Sequence, residues 1–171
     1  MAWTTPKNWS TGELVTASDL NVQLKGNLEI LKDPVTKSTR FTPGTQPQIT
    51  STTFVDIDTS LSWTSGNGTA VTTAGGALMI GLSGRVYHSP GGFTDCYFDI
   101  NIDGVSQGAP GTNGILWVYG SNAYQFPFSI AWLTPALPAG QKNIKIQCKR
   151  GGGNANPVQI FEVNAWVREV S

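Results

Sequence analysis

From residue 49 onward, apolar side chains recur at every second position, and this alternation limits the fold more than any other feature of the chain. Val55, Ile57, Leu61 and Trp63 occupy odd positions, with Asp56, Asp58, Ser60 and Ser62 among them. Leu78, Ile80, Leu82 and Val86 repeat the pattern on even positions, as do Cys96, Phe98, Ile100 and Ile102. Tyr124, Phe126, Phe128, Ile130 and Trp132 follow, then Ile144, Ile146 and Cys148, then Phe161, Val163, Ala165 and Val167. A period of two sends one face of a strand into a core and leaves the other in solvent. With the shorter runs 69–73 and 115–119, about eight strands are expected. The segments between them are turn formers: Gly66-Asn67-Gly68, Pro90-Gly91-Gly92, Asp103-Gly104, Pro138-Ala139-Gly140 and Gly151-Gly152-Gly153. The predicted fold is mainly β, an antiparallel β-sandwich of the jelly-roll kind.

The first third obeys a different period. Thr16 can cap a helix over residues 16–32, with Asp19 three positions on, and Leu20, Leu24, Leu28 and Leu31 form an apolar stripe at helical spacing. Pro34 ends that helix. Residues 34–48, with Pro34, Pro43, Gly44 and Pro47 and no periodicity, read as an extended linker. The expected organisation is an arm and helix over 1–33 for attachment or oligomerisation, a linker over 34–48 and a sandwich over 49–171. A helix this short is marginal by itself in water, so its leucine stripe needs a partner. Trp3, Trp9 and Leu14 stand in the same arm, outside the sandwich, and are placed with Leu20, Leu24, Leu28 and Leu31 as attachment residues.

Charge narrows the function. Charged residues are 13% of the chain, about half the ~25% usual in soluble proteins. Eleven basic side chains balance eleven acidic ones, so nothing here would hold nucleic acid electrostatically. A sparsely charged, neutral surface favours self-association. No apolar run reaches the ~20 residues of a membrane span. The N-terminus has no apolar secretory core, so synthesis in the cytoplasm is expected, and the sequons at Asn8 and Asn67 are read as chance. Cys96 and Cys148 lie in the apolar phase of strands and are expected to be free thiols.

No catalytic constellation stands out. Asp99-Ile100-Asn101-Ile102-Asp103-Gly104 matches the first half of a calcium loop, yet Pro110 occupies the position of the bidentate glutamate, and a strand ending in an Asp-Gly hairpin is the preferred reading. His88 is the sole histidine and is read as a surface or edge residue. No nucleophile elbow accompanies it, and one histidine with two separated cysteines makes no standard zinc site. Asp56, Asp58, Asp95, Asp99, Asp103 and Glu162 offer carboxylates without singling out a pair; Glu162 interrupts an apolar run. No cofactor, no metal and no enzymatic activity are expected. Trp63 and Trp132 are expected in the core. The run Ile115-Leu116-Trp117-Val118-Tyr119 is apolar on both faces, which marks Leu116, Trp117 and Tyr119 as a subunit interface.

The arm carries a resemblance. Thr5-Pro6-Lys7-Asn8-Trp9-Ser10-Thr11-Gly12-Glu13-Leu14-Val15-Thr16-Ala17, followed by Leu20-Asn21 and Leu24-Lys25-Gly26-Asn27-Leu28, resembles the opening of many bacteriophage virion proteins. Those begin T-P-x-x-W-x-x-G-E-x-V-T-A and continue into a helix; they often have an acidic residue where this chain has Gly26. More loosely, Pro138-Ala139-Gly140, the strand Ile144 to Lys149, the glycine turn and the last strand are similar to the tumour-necrosis-factor/C1q-like jelly roll of phage fibres and decoration proteins. The resemblance implies a homotrimeric virion protein that docks on a major capsid or tail protein through its arm. The rival readings are an adhesion module gripping host glycan through loops at its distal end and, weakest, a depolymerase.

Overall fold

The computed structural model describes residues 7–26, 28, 36–41, 47–88, 93–108, 113–121, 124–152 and 156–170. They build an antiparallel sandwich with the jelly-roll architecture. One sheet has the order β1 (Thr36–Phe41), β13 (Val158–Val170), β6 (Ala77–His88), β10 (Gln125–Leu133), and β2 (Gln48–Ile49) also pairs with β13. The other runs β3 (Val55–Asp56), β12 (Ile144–Arg150), β7 (Phe93–Ile102), β8 (Val105–Ser106). In it β4 (Ser62–Trp63) pairs with β12 and β9 (Leu116–Ser121) pairs with β7. A small ladder joins β5 (Val71–Thr73) to β11 (Gly140–Lys142).

The alternating residues supply the core. Leu78, Ile80, Leu82 and Val86 of β6 and Val163, Ala165 and Val167 of β13 face Cys96, Phe98, Ile100 and Ile102 of β7 and Ile144, Ile146 and Cys148 of β12; all are buried. Phe98 meets Phe128 of the opposite sheet at 4.4 Å between ring centres. Both cysteines are free thiols inside this layer, and burial followed by the neighbouring Cys148 thiol raises the Cys96 pKa well above its ordinary value. Trp63 is buried and Trp132 half-buried at the edge strand β10.

Several local expectations are revised. The 55–63 run is two short strands, β3 and β4, separated by a 3-10 turn over Thr59–Leu61. Asp58 Oδ1 accepts the Ser60 amide at its start (2.8 Å). Of the helix expected over 16–32, the described residues form one α-turn, α1 (Ala17–Leu20), a π-turn over Asn21–Gly26 and helical backbone at Leu28. A switch to i→i+5 bonding breaks the four-residue spacing, so Leu20, Leu24 and Leu28 lie on no single α-helical stripe. The stretch read as a linker contains β1, paired with β13 from Thr36↔Arg168 to Phe41↔Val163. No periodicity revealed it because its inward side chains are polar. Lys37 Nζ donates to the carbonyls of Thr69 (2.6 Å) and Ala70 (2.7 Å), and Thr39 Oγ1 donates to that of Ser60 (2.7 Å). These bonds satisfy loop carbonyls at the rim of the sandwich, where an apolar side chain would leave them unpaired.

The last strand holds the sharpest departure from simple alternation. Its buried residues change phase, from Val158 and Ile160 to Val163, Ala165 and Val167. The pairing with β6 shifts between Ile160↔Val86 and Val163↔Gly84. Two residues, Phe161 and Glu162, therefore oppose Arg85 alone, which is a β-bulge. Both sit outside the core. Phe161 meets Tyr87 edge-on at 6.1 Å, and Glu162 pairs with Arg40 (3.0 Å) and Arg85 (3.8 Å). The acid that interrupts an apolar run is thus the mark of the bulge. Deleting Phe161 should leave every apolar residue of β13 inward and preserve a cooperative urea transition, at a cost of about 1 kcal/mol for the lost ring contacts. Deleting Asn164 should instead abolish that transition, because the shortened strand must either bury Glu162 or expose Ala165 and Val167.

Candidate functional site

Residues 7–28 are where the sequence departs most from what a self-contained sandwich requires. Lys7 is the hub of this arm. Its backbone N–H donates to Gln23 Oε1 (2.9 Å), its ammonium pairs with Glu13 and lies 3.8 Å from Asp19 Oδ1, and it sits 4.5 Å over the Trp9 ring. Gly12 adopts φ +85°, closing a turn in which the Glu13 amide donates to the Ser10 carbonyl (3.0 Å) and Glu13 Oε2 accepts the Ser10 amide (3.1 Å). Thr16 and Asp19 form a capping box: Thr16 Oγ1 accepts the Asp19 amide and Asp19 Oδ2 accepts the Thr16 amide, both at 3.1 Å. The Trp-x-x-Gly-Glu and Val-Thr-Ala elements of the sequence are therefore two turn-forming devices joined through one lysine.

The arm's polar groups are spent on one another, and its apolar groups face out. Leu14 is 83% exposed and Leu28 61%, and Trp9, Val15, Leu20, Val22 and Leu24 are exposed as well. These exposed apolar side chains follow one another along the arm, unlike the single scattered ones of an ordinary surface. Trp3 and Leu31 lie outside the described residues. The capping box expected of Thr16 and Asp19 is present, whereas Lys7 and Glu13 were not singled out from the sequence; the signal was Glu13 following the glycine of a turn.

The second predicted cluster divides. Leu116 points into the sandwich and is half-buried, with Val118 beside it. Trp117 and Tyr119 point outward and are 59% and 53% exposed. Trp117 Nε1 donates to Asp95 Oδ1 (2.8 Å), and its ring lies 17° from parallel to that of Tyr97 at 6.5 Å. Burial, then the Asp95 carboxylate, raises the Tyr97 pKa above its ordinary value.

The remaining candidates have structural partners. Asp99 is buried beneath the loop after β8: Oδ1 accepts the Gly108 amide (2.9 Å) and Oδ2 accepts Ser106 Oγ. Asn101 Oδ1 accepts the Gly104 amide (2.9 Å), and Asp103 Oδ1 accepts the Asn143 amide (2.8 Å). Asp103 at φ 50° and Gly104 at φ 89° make the tight hairpin turn. Asp56 binds Lys145 and Gln147, each at 2.7 Å. His88 corrects a surface assignment. It is fully buried, edge-on to Phe126 at 5.6 Å, and packs where Gly120 of β9 has no side chain. Among the described residues no group of three metal-ligating side chains comes together. Among the described residues no helix is long and apolar enough to cross a membrane.

No family model matches the chain, and no curated protein matches it in sequence. Among solved structures it is similar to the T13 particle of infectious bursal disease virus, at 11% identity and a TM-score of 0.52. That match covers 80% of this chain and 31% of the viral one. Other matches are the VP2 protein of that virus in T=1 particles (11% identity, 80% and 32% covered, TM-score 0.46) and the Eiger TNF of S. frugiperda (12%, 81% and 94%, 0.42). The chain spans about a third of the viral proteins it matches. At such identity the likeness is one of fold.

Lys7 pairing and the Ser10 amide hold the Glu13 carboxyl below its ordinary pKa, and hydrogen bonds from Thr16 do the same for Asp19. A carboxyl whose pKa is lowered by folding stabilises the folded form above its ordinary value, and that contribution is lost as pH falls through the lowered one. Amide exchange at Ser10 and Thr16 should therefore accelerate on acidification below the usual carboxylate range while amides of β6 and β13 stay protected. Equal loss of protection in both would show that the arm has no separate stability.

Proposed function

We propose that this chain is a non-enzymatic structural protein of a bacteriophage particle, a jelly-roll knob held on the virion by its N-terminal arm as a capsid-decoration, tail or fibre component. One observation carries the reading: an arm ordered by its own hydrogen bonds leaves Trp9, Leu14, Val15, Leu20, Val22, Leu24 and Leu28 exposed. Burying a leucine side chain is worth about 1.5–3 kcal/mol, so several of them in one groove of a capsid or tail protein suffice for stable attachment. The jelly-roll fold supports this role, as does the resemblance of residues 5–31 to phage virion openings.

Removal of residues 1–33 should give a soluble, cooperatively melting β-protein absent from purified particles. The double substitution Leu24→Asp with Leu28→Asp should lower particle occupancy at least tenfold, since each carboxylate must be desolvated to dock. Truncated protein found on particles at wild-type occupancy would overturn this reading.

The knob assembles as a homotrimer. Supporting this, the outer face of the first sheet carries almost no charge along Ala131–Gly81–Trp166, and Leu133 is exposed beside it. A Cβ on Gly81 would overlap the Trp166 indole, so the glycine lets that ring lie flush and keeps the face flat. Light scattering at micromolar concentration should give three times the 18.2 kDa chain mass, and Leu133→Asp should shift it toward monomer. A wild-type monomer would refute the trimer.

A further inference from the structure

The outer face of the second sheet carries a row of aromatic side chains that the attachment reading leaves unused. Trp117 on β9 pairs in register with Tyr97 on β7, and Tyr97 with Lys149 on β12. Phe54 adjoins Val55, which pairs with Cys148, so it continues the row beyond Lys149. The Lys149 ammonium lies 4.8 Å from the Phe54 ring centre and 5.3 Å from that of Tyr97. Tyr119, one rung away and opposite Asp95, meets Trp117 edge-on at 6.0 Å. Four strands at ~4.8 Å spacing make this strip about 14 Å long.

We propose that this strip is a binding site for an uncharged oligosaccharide, which lies across the strands with sugar rings stacked on Trp117 and Tyr97. Three features select that ligand. The first is pre-organisation: the Asp95 hydrogen bond fixes the indole, and the Trp117 ring lies within 17° of parallel to that of Tyr97 at 6.5 Å. An exposed indole held in place suits the C–H face of a pyranose, and a ring fixed before binding loses little entropy. The second is chemistry. Aromatic faces alternate with Asp95, Lys149 and the Tyr97 and Tyr119 hydroxyls, matching a ligand with apolar faces and a hydroxyl edge. One acid and one base leave no charge excess for a polyanion.

The third is shape. At Tyr97 and Lys149 the strip is narrow along the strands, widening by one rung only at Tyr119 and Asp95. The next rung is the closed network of Asp56 with Lys145 and Gln147. The far end is bounded by the turn at Gly114, where an added Cβ would stand 2.9 Å from Phe54 Cζ. A stable protein interface needs about 800 Å² from each partner, which so narrow a strip does not supply. The site is on a sheet face, so its geometry is held by the strand ladder and is independent of the arm.

The test is binding of the full-length protein to an array of immobilised bacterial surface polysaccharides and oligosaccharides. Wild type should bind at least one neutral glycan. Trp117→Ala and Tyr97→Ala should each weaken that binding at least tenfold, Trp117→Phe should retain most of it, and Tyr124→Ala, beside β10 of the opposite sheet and exposed, should leave it unchanged. Urea transitions of all variants should stay near wild type, because both rings are on the outer face. No neutral glycan bound, or binding undiminished in Trp117→Ala, would overturn the proposal. So would a changed oligomeric state of Trp117→Ala in light scattering, which would make the strip a contact between copies of the chain. Attachment to particles should be unaffected in Trp117→Ala, so the two readings fail separately.

Discussion

The pairing of β13 with β6 is the interaction on which the other elements depend. It is the central ladder of one sheet, it supplies the inward valines, leucines and isoleucines that meet β7 and β12, and its flanks receive β1, β2 and β10. Its two strands must keep their apolar side chains on one face for more than ten residues, and the phase change within β13 makes a regular ladder impossible. The bulge at Phe161 and Glu162 resolves the conflict by adding one residue on one side. Arg40 and Arg85 then take up the carboxylate that the bulge pushes outward. A local irregularity is thus what lets the long strand serve one core.

With the core fixed by that ladder, the outer faces of the two sheets are free to differ. The first is nearly flat and uncharged around Gly81 and Trp166. The second carries aromatic rings, an acid–base network and the buried Asp99, which anchors the loop after β8 through Ser106 and the Gly108 amide. A buried carboxylate that receives two hydrogen bonds can be tolerated, whereas an unpaired one would be expelled. That accounts for an acid inside a strand with apolar neighbours, and it gives the Asp99 to Asp103 segment a structural role in each of its polar side chains.

The arm follows different physics. It is too short to hold a core, so it folds by satisfying polar groups: a glycine turn, a capping box and a lysine between two acids and an indole. Such a unit has its apolar groups left over rather than its polar ones. A sandwich with its own core, joined to an arm of this kind, keeps the proposed attachment and recognition surfaces on separate parts of one small protein.

The sequence by itself determined the β-sandwich class, because the period of two is a direct imprint of strand geometry and survives in the inward faces of β6, β7 and β12. It also located the Asp-Gly hairpin and the free cysteines, each of which rests on local chemistry. Only the tertiary structure decided that Lys37 and Thr39 belong to a sheet strand, that His88 is buried against Gly120 and that Leu116 faces in while Trp117 and Tyr119 face out. Lys7, Glu13 and Asp19 likewise appeared as one unit only when folded. The reason is common to all of them. Alternation records which side of a strand is apolar, but partners brought together from distant positions decide whether a polar residue is bonded inward and whether an aromatic one is covered. The row Trp117, Tyr97, Lys149, Phe54 joins four strands far apart in sequence, so no window along the chain contains it.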